Sequence, residues 1–418
     1  MSSKNSLYKP YIIELLKSFD KEIALPSSKS HSNRALILGA IRGEGFKIHN
    51  VSSSTDVTNM VTVFKKIGLK MKINGTTIIF ENSFPECEKD SACEVINLHT
   101  GDGGTTNRFL IALLSRGKKE YHLFPTEKMS ERPIEDLINP LKKLSVYINF
   151  NPESEQDKKA WIVLRGPASL YNTTKLEIDC EKSTQFATAL MLAFSNRPLQ
   201  FEFINLHSSE SYLKMTTQVI KKSLESNSYT VPVDFSSLGY PAALAALMGR
   251  VLIKNCTEID LLQADSILIE MLKNSGAHRS LSNNGLEIKK GTELKPLTFN
   301  VSNAPDLFPT LVFLAAHIEG ESSFSDLSVL QFKESNRLMQ MISILKALGV
   351  QLFYDQDSNI LKIIGKANFK YKAAVIHPAR DHRIVMSAAL FMAKNSGGEL
   401  YEVDCVEKSF PGFLTLLE

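Results

Sequence analysis

Several features are scarce or missing in this chain, and each absence narrows its function. Its 48 Lys and Arg residues stand against 45 Asp and Glu, a formal net charge of +3. There is thus no global basic field of the kind that holds nucleic acid, and any cationic site must be local. No run of about 18 apolar residues occurs, which excludes a membrane-spanning helix of ordinary length. The first twenty residues mix charged and apolar side chains without the order of a secretory leader. The expected location is the cytoplasm, with no membrane and no nucleic acid as partner. The five cysteines (Cys87, Cys93, Cys180, Cys256 and Cys405) are odd in number, scattered, and form no Cys-x-x-Cys pair. That spacing suits neither a disulfide scaffold nor a zinc site. No His-x-x-x-His pair occurs, so no metal is expected. What the chain does have is apolar mass. With 418 residues and 43% hydrophobic content, it exceeds what one core holds and predicts two domains.

The densest polar signal is Pro26-Ser27-Ser28-Lys29-Ser30-His31-Ser32-Asn33-Arg34, followed at once by Ala35-Leu36-Ile37-Leu38. Hydroxyls, a lysine and an arginine gather where a helix begins, and free N–H groups and the helix dipole there favour an anion. The Gly-x-x-x-x-Gly-Lys-Ser/Thr spacing of a nucleotide loop is missing, so the expected anion is a phosphate or carboxylate on a small metabolite. A plain structural cap is the alternative.

This arrangement recurs. Polar loops open onto Ala/Leu-rich helices at Ser30–Arg34, Gly101–Thr106, Glu181–Gln185, Ser236–Gly239, Asn303–Asp306 and Arg380–Arg383, most of them about 70 to 80 residues apart. Between them, Lys-bearing amphipathic helices end at small residues, as at Lys65-Lys66-Ile67-Gly68 and Lys346-Ala347-Leu348-Gly349, where Gly supplies the left-handed cap. Alternating strands split by turn residues follow, as around Asn74-Gly75. Each unit therefore reads strand, helix, strand, helix, strand hairpin. All-round apolar helices such as Ala242–Leu247 are expected inside, with the Lys-bearing helices outside. The fold class expected is α/β (α+β): two similar domains, each of three repeated βαβαββ units with buried helices inside a shell of sheets and outer helices. The domains expected are 25–233, and 1–24 with 234–418, crossing near Val231-Pro232-Val233. The helix starts of both halves are expected to face one interdomain cleft. Asn151–Lys159 reads as a hairpin loop.

Other charged residues stand in suggestive places. Arg132, before Pro133, suits a bidentate anion contact beside a helix start, or is a surface arginine. Lys333 and Arg337, at i and i+4 with Glu334 beside them, read as one helical face carrying either a surface ion cluster or a site with a proton-donating acid. Asp306 and Asp381 occupy cap positions before apolar helices. Lys408 reads as solvent-facing unless it belongs to a site.

Taken together, these stretches resemble the 5-enolpyruvylshikimate-3-phosphate synthase family of enolpyruvyl transferases. The resemblance runs nearly end to end through Lys29-Ser30-x-Ser32-Asn33-Arg34, Gly104-Thr105-x-x-Arg108, Glu131-Arg132-Pro133-Ile134, Ser183-Thr184-Gln185-Phe186 and Ser209-x-x-Tyr212. It continues through Pro305-Asp306, Lys333-Glu334-x-x-Arg337, Asp381-His382-Arg383 and Lys408-Ser409-Phe410-Pro411. It implies that phosphoenolpyruvate is held by Lys29, Gly104, Arg132, Gln185, Arg337, Arg383 and Lys408. It implies that shikimate 3-phosphate is held by Lys29, Ser30, Arg34, Ser183, Thr184, Gln185, Ser209, Tyr212, Asp306 and Lys333.

By the same resemblance, the catalytic residues are Asp306, Glu334, Lys29 and Lys408. The reaction implied is addition and elimination on the route to chorismate and the aromatic amino acids, in a monomer without cofactor. The rival implied is UDP-N-acetylglucosamine 1-carboxyvinyltransferase, whose loop cysteine has no counterpart here, or an inactive anion-binding relative. Four departures from the family's usual residues stand out: Asp102 for Asn, Glu210-Ser211 for Lys-Pro, Asn336 for Asp, and Val329 for the asparagine of some members.

Overall fold

The structure is a computed structural model and describes residues 9–86, 94–151, 160–171, 174–368, 370–371 and 375–418. Cys87, Cys93 and most of the loop read at Asn151–Lys159 lie outside the described residues. The chain divides into two compact units: Ser27–Pro232, and Met1–Pro26 with Val233–Glu418.

The chain opens with β1 (Tyr11–Ile13) and β2 (Phe19–Ile23), which belong to the discontinuous unit. The continuous unit begins with α1 (Lys29–Arg42), β3 (Lys47–His49), α2 (Thr55–Lys66), β4 (Met71–Asn74) and β5 (Thr77–Phe80). It goes on through β6 (Val95–Gly101), α3 (Gly104–Leu114), β7 (Glu120–Pro125), the short α4 (Glu127–Ser130), α5 (Glu135–Lys143), β8 (Tyr147–Phe150) and β9 (Ile162–Arg165). It closes with β10 (Lys175–Asp179), α6 (Gln185–Ala193), β11 (Gln200–Ile204), α7 (Glu210–Glu225) and β12 (Ser228–Thr230).

The discontinuous unit resumes with α8 (Phe235–Met248), β13 (Gly249–Ile253), α9 (Ile267–Ser275), β14 (His278–Ser282) and β15 (Gly285–Lys289). Then come β16 (Thr298–Asn300), α10 (Phe308–Ala316), β17 (Gly320–Ser325), α11 (Arg337–Leu348), β18 (Gln351–Asp355) and β19 (Ile360–Gly365). The last elements are β20 (Val375–Ile376), α12 (His382–Asn395) and β21 (Gly398–Leu400).

Four of the sheets share one topology, a parallel pair extended by an antiparallel hairpin: β12-β3-β5-β4, β6-β7-β9-β8, β2-β13-β15-β14 and β16-β17-β19-β18. The repeat is therefore real, but its units are not all contiguous. β12 lies parallel to β3 (Ser228 opposite Lys47), and β2 lies parallel to β13 (Phe19 opposite Gly249). The opening strand of two sheets is thus borrowed from a distant part of the same unit, which ties each unit's chain ends into its sheets. The other two sheets are smaller, β10-β11 and β1-β21-β20.

Apolar helices fill the interiors. Every residue of α10 is buried, as is nearly all of α12, and α1 is buried from His31 to Ala40. Each fully buried Leu, Ile or Phe contributes roughly 1.5 to 3 kcal/mol, so these helices carry the cores. The outer helices end as their sequences require: Lys65 and Lys66 close α2, and α11 stops at Gly349 with φ 82°. Several helices begin earlier than expected, among them α3 at Gly104 and α12 at His382. α1 starts at Lys29, capped by the Ser28 hydroxyl, which accepts from His31 N at 3.4 Å, so Ser30 to Arg34 lie within the helix. α8 runs from Phe235 through Pro241, because Asp234 caps it by accepting from Ser237 N at 2.7 Å.

Candidate active site

In the continuous unit, Lys29 and Arg34 have specific partners and Arg132 lies against the start of α3. Lys29 Nζ lies 3.0 Å from Asp56 Oδ2, and Asp56 is buried at the start of α2. Sequence reasoning missed Asp56. An acid in the first turn of an amphipathic helix reads as an ordinary dipole partner, and nothing local links it to a lysine 27 positions away. Thr106 Oγ1 donates to the Asp56 carbonyl at 2.9 Å, tying α3 to the same pair.

Arg34 is almost wholly buried. Its Nε donates to Thr216 Oγ1 at 2.9 Å, its Nη1 to the Ser30 carbonyl at 2.8 Å and its Nη2 to the Tyr212 carbonyl at 3.3 Å. It lies 5.7 Å from the Phe109 ring centre and 6.0 Å from that of Tyr212. All three hydrogen-bond acceptors are uncharged, and burial brings its guanidinium down to about 10. A buried cation whose direct partners are neutral is suited to an anion.

Gly104 and Arg132 are in close contact. A Cβ on Gly104 would collide with the Arg132 guanidinium, so glycine at the start of α3 lets that guanidinium lie against the helix start. Arg108, also buried, donates to Gln185 Oε1 at 2.7 Å and to the Pro133 carbonyl at 2.8 Å, fixing the first side chain of α6 beside the Arg132 segment. Ser183 accepts from Gln185 N at 3.2 Å. Thr184 is buried, and Ser209 opens α7 in a left-handed conformation at φ 60°. Asp102 is engaged by Thr126 Oγ1 at 3.1 Å, and Glu210 by Lys214 at 3.1 Å, so the charge of each departing residue has a local partner.

In the discontinuous unit, the Lys333–Arg337 segment is not one helical face. α11 starts only at Arg337, and Lys333 to Asn336 are an irregular entry. Asn336 caps the helix, accepting from Met339 N at 3.2 Å, a task that Asn performs as well as Asp. Asp306 is not a cap either. It sits in the 3-10 turn Pro305–Leu307 before α10, and its carboxylate is ringed by cations. Arg337 Nη1 reaches Oδ1 at 2.8 Å, Arg383 Nη2 reaches Oδ2 at 2.8 Å, and Lys333 Nζ lies 3.9 Å from Oδ1.

Arg337 is 1% exposed and also binds Glu334 Oε2 at 2.5 Å and Asp381 Oδ2 at 2.9 Å. Asp381 in turn caps α12 by accepting from Arg383 N at 3.0 Å, and it accepts from Ser335 Oγ at 2.9 Å. Burial by itself would raise the Asp306 carboxyl, but Arg383, Lys333 and Arg337 together hold it well below the usual carboxylate range. Burial pulls the Lys333 ammonium down, against Asp306. Lys408 is buried at the end of the 3-10 segment Val403–Lys408, not solvent-facing. Val329 lies in the 3-10 segment Leu327–Phe332.

Each unit thus concentrates arginine and lysine around a few buried polar groups, an arrangement suited to binding multiply charged anions and moving a proton between oxygens. The chain matches the family model described as EPSP synthase (3-phosphoshikimate 1-carboxyvinyltransferase) over residues 13–417. It is 27% identical to a 3-phosphoshikimate 1-carboxyvinyltransferase of Pyrococcus abyssi, covering 96% of this chain and 95% of that protein. It is 28% identical to one of Syntrophobacter fumaroxidans, covering 97% and 98%. A solved EPSP synthase of Acinetobacter baumannii superposes with a TM-score of 0.73 at 22% identity, covering 97% of this chain and 96% of that one, which shows a common fold.

Proposed function

The chain belongs to the EPSP synthase (3-phosphoshikimate 1-carboxyvinyltransferase) family, and from that membership we propose that it transfers the enolpyruvyl group of phosphoenolpyruvate to the 5-hydroxyl of shikimate 3-phosphate. The observation that carries the reading is the Asp306 carboxylate, ringed by Arg337, Arg383 and Lys333 in a chain matched along nearly its whole length.

Phosphoenolpyruvate is assigned to Lys29, Gly104, Arg132, Gln185, Arg337, Arg383 and Lys408. Shikimate 3-phosphate is assigned to Lys29, Ser30, Arg34, Ser183, Thr184, Gln185, Ser209, Tyr212, Asp306 and Lys333. Two phosphates and two carboxylates repel one another, so binding them needs this number of cations.

In the chemistry, Asp306 takes the proton of the 5-hydroxyl as its oxygen bonds to C2 of phosphoenolpyruvate. Glu334, acting with Lys29, delivers a proton to C3, turning the methylene into a methyl group and leaving a tetrahedral phospho-ketal. The C2–O bond to phosphate then breaks, with Lys29, Arg132 and Lys408 stabilising the leaving charge. The ionised Glu334 takes a methyl proton back, restoring the double bond, and the departing phosphate carries away the proton held by Asp306. A carboxylate held by three cations is a weak base. Anionic substrate drawing Arg337, Arg383 and Lys333 toward itself returns Asp306 to useful basicity.

No metal or organic cofactor has a step in this scheme. Transfer to UDP-N-acetylglucosamine is not favoured, because the family match is to the shikimate enzyme. No helix among the described residues is long and apolar enough to cross a membrane. The enzyme is assigned to the cytoplasm as a monomer. The test is direct: phosphoenolpyruvate and shikimate 3-phosphate are mixed with the protein and phosphate is measured. Stoichiometric release of phosphate with formation of the enol ether supports the reading, and tight binding without release overturns it.

A further inference from the structure

One buried carboxyl beside this cluster has no role in the scheme above. Asp265 lies in the 3-10 turn Ala264–Ser266 before α9 and is 3% exposed. Its Oδ2 accepts from the Ser236 hydroxyl on the first turn of α8. Its Oδ1 is buried and has no hydrogen-bond partner among the described residues. The turn is rigidly placed: neighbouring Gln263 accepts from Phe235 N at 3.0 Å and donates to the Val233 carbonyl at 2.8 Å and to Asp260 Oδ2 at 3.0 Å.

The packing of α8 links this turn to Asp306. Gly239 is the contact point, since a Cβ there would meet Leu268 at 3.4 Å and Leu307 at 3.5 Å, the first just beyond Asp265 and the second adjacent to Asp306. With no side chain at Gly239, the two acid-bearing turns settle on one stretch of α8.

We propose that Asp265 is a positioning residue for Asp306: a second carboxyl, tethered by Ser236, whose negative charge opposes the cations on Asp306 and keeps Asp306 basic enough to take the substrate proton. The proposal rests on the enolpyruvyl-transfer reading. Two carboxylates in one low-dielectric site cannot both ionise freely, so charge on one raises the proton affinity of the other. Four groups act most strongly on Asp265. Ser236 comes from α8 and Asp234 from its cap, Asp306 from the turn before α10, and Arg383 from α12. Burial, then Asp306, raises the Asp265 carboxyl to about 6, while Arg383 and Ser236 pull it down. Above that pH Asp265 is charged and supports Asp306, and below it the support is withdrawn.

The experiment compares kcat for wild type, Asp265→Asn and Asp265→Glu between pH 5 and 8.5. The ratio to wild type is the quantity read, because substrate phosphates also titrate near 6. The expected result is that Asp265→Asn loses roughly tenfold in kcat above pH 7 and converges on wild type near pH 5, with the KM for phosphoenolpyruvate little changed. Asp265→Glu, which keeps the charge, is expected to recover part of the loss. A ratio constant with pH, or no loss at all, overturns the proposal.

If Asp265→Asn does not fold, Ser236→Ala replaces it. Removing the hydroxyl that favours the ionised form moves the step in kcat upward in pH, and an unmoved step overturns the proposal. Carboxyl carbon NMR of the free wild-type protein gives a readout independent of turnover: a resonance titrating near 6 is expected, and its absence overturns the proposal. A wild-type protein that releases no phosphate overturns the transfer reading itself, and the carboxyl titration then still decides the charge state assigned to Asp265.

Discussion

Arg337 and Asp381 form a buried pair, Nε to Oδ2 at 2.9 Å, with the arginine 1% and the aspartate 0% exposed. The same guanidinium serves Asp306 and Glu334, so one side chain pairs with three carboxylates. Burial opposes its charge, and those three acids hold it above its ordinary range.

Removing this cation strands buried negative charge. Arg337→Ala is expected to cost about 3 to 5 kcal/mol of stability, read from urea unfolding near pH 7. A loss under about 1 kcal/mol would show that the acids find other partners or protonate.

Asp306→Asn keeps the shape and loses the base. The expected outcome is a fall in kcat of roughly 10²- to 10⁴-fold with a much smaller change in phosphoenolpyruvate KM. Steady-state phosphate release decides it. Near-normal turnover would remove Asp306 as the proton acceptor.

Gly104→Ala pushes the Arg132 guanidinium off the start of α3. Because the obstructing atoms are the end of a flexible side chain, the melting temperature should barely move. The KM for phosphoenolpyruvate should rise by roughly 10- to 100-fold, the worth of a charge-assisted hydrogen bond. A normal KM would place the anion elsewhere.

Asp56→Asn frees Lys29 from its 3.0 Å partner. If the pair aims the lysine, both KM and kcat suffer, and Lys29→Ala shows the same pattern more strongly. Unchanged kinetics in Lys29→Ala would refute its placement in both binding and chemistry.

His317 offers a test of acid stability. Its Nδ1 lies 2.7 Å from the Phe313 carbonyl and its Nε2 3.2 Å from Asn395 Oδ1. Burial, with Lys394 adding to it, lowers the ring to about 3 from 6.5. The native state therefore binds fewer protons than the unfolded chain between these values, and stability falls as pH drops below 6.5. At pH 5 the loss is about 2 kcal/mol. An uncharged replacement, His317→Gln, should show a smaller difference in urea midpoint between pH 7.5 and pH 5 than wild type does.

Much was legible in the residues alone, for physical reasons. The all-round apolar stretches of α10 and α12 can be satisfied only by burial on every side, and a Lys-bearing helix ended by Gly needs no tertiary context to stop there. The recurrence of these two kinds of helix carried the α/β architecture and the repeat. Charged partners were not legible in this way. Asp56 with Lys29, and Asp381 with Arg337, are separated by 27 and 44 positions, and nothing in either local pattern marks one as the other's counter-ion. The i, i+4 spacing of Lys333 and Arg337 suggested a helical face, yet Asn336 caps a helix that begins only at Arg337.

Local sequence determines where a helix starts and which face is apolar, because those depend on hydrogen bonds and burial within a few residues. Only the tertiary structure decided which acid meets which base, since electrostatic pairing depends on distance in space. The packing of α1 against α2, and of α11 against α12, sets those distances.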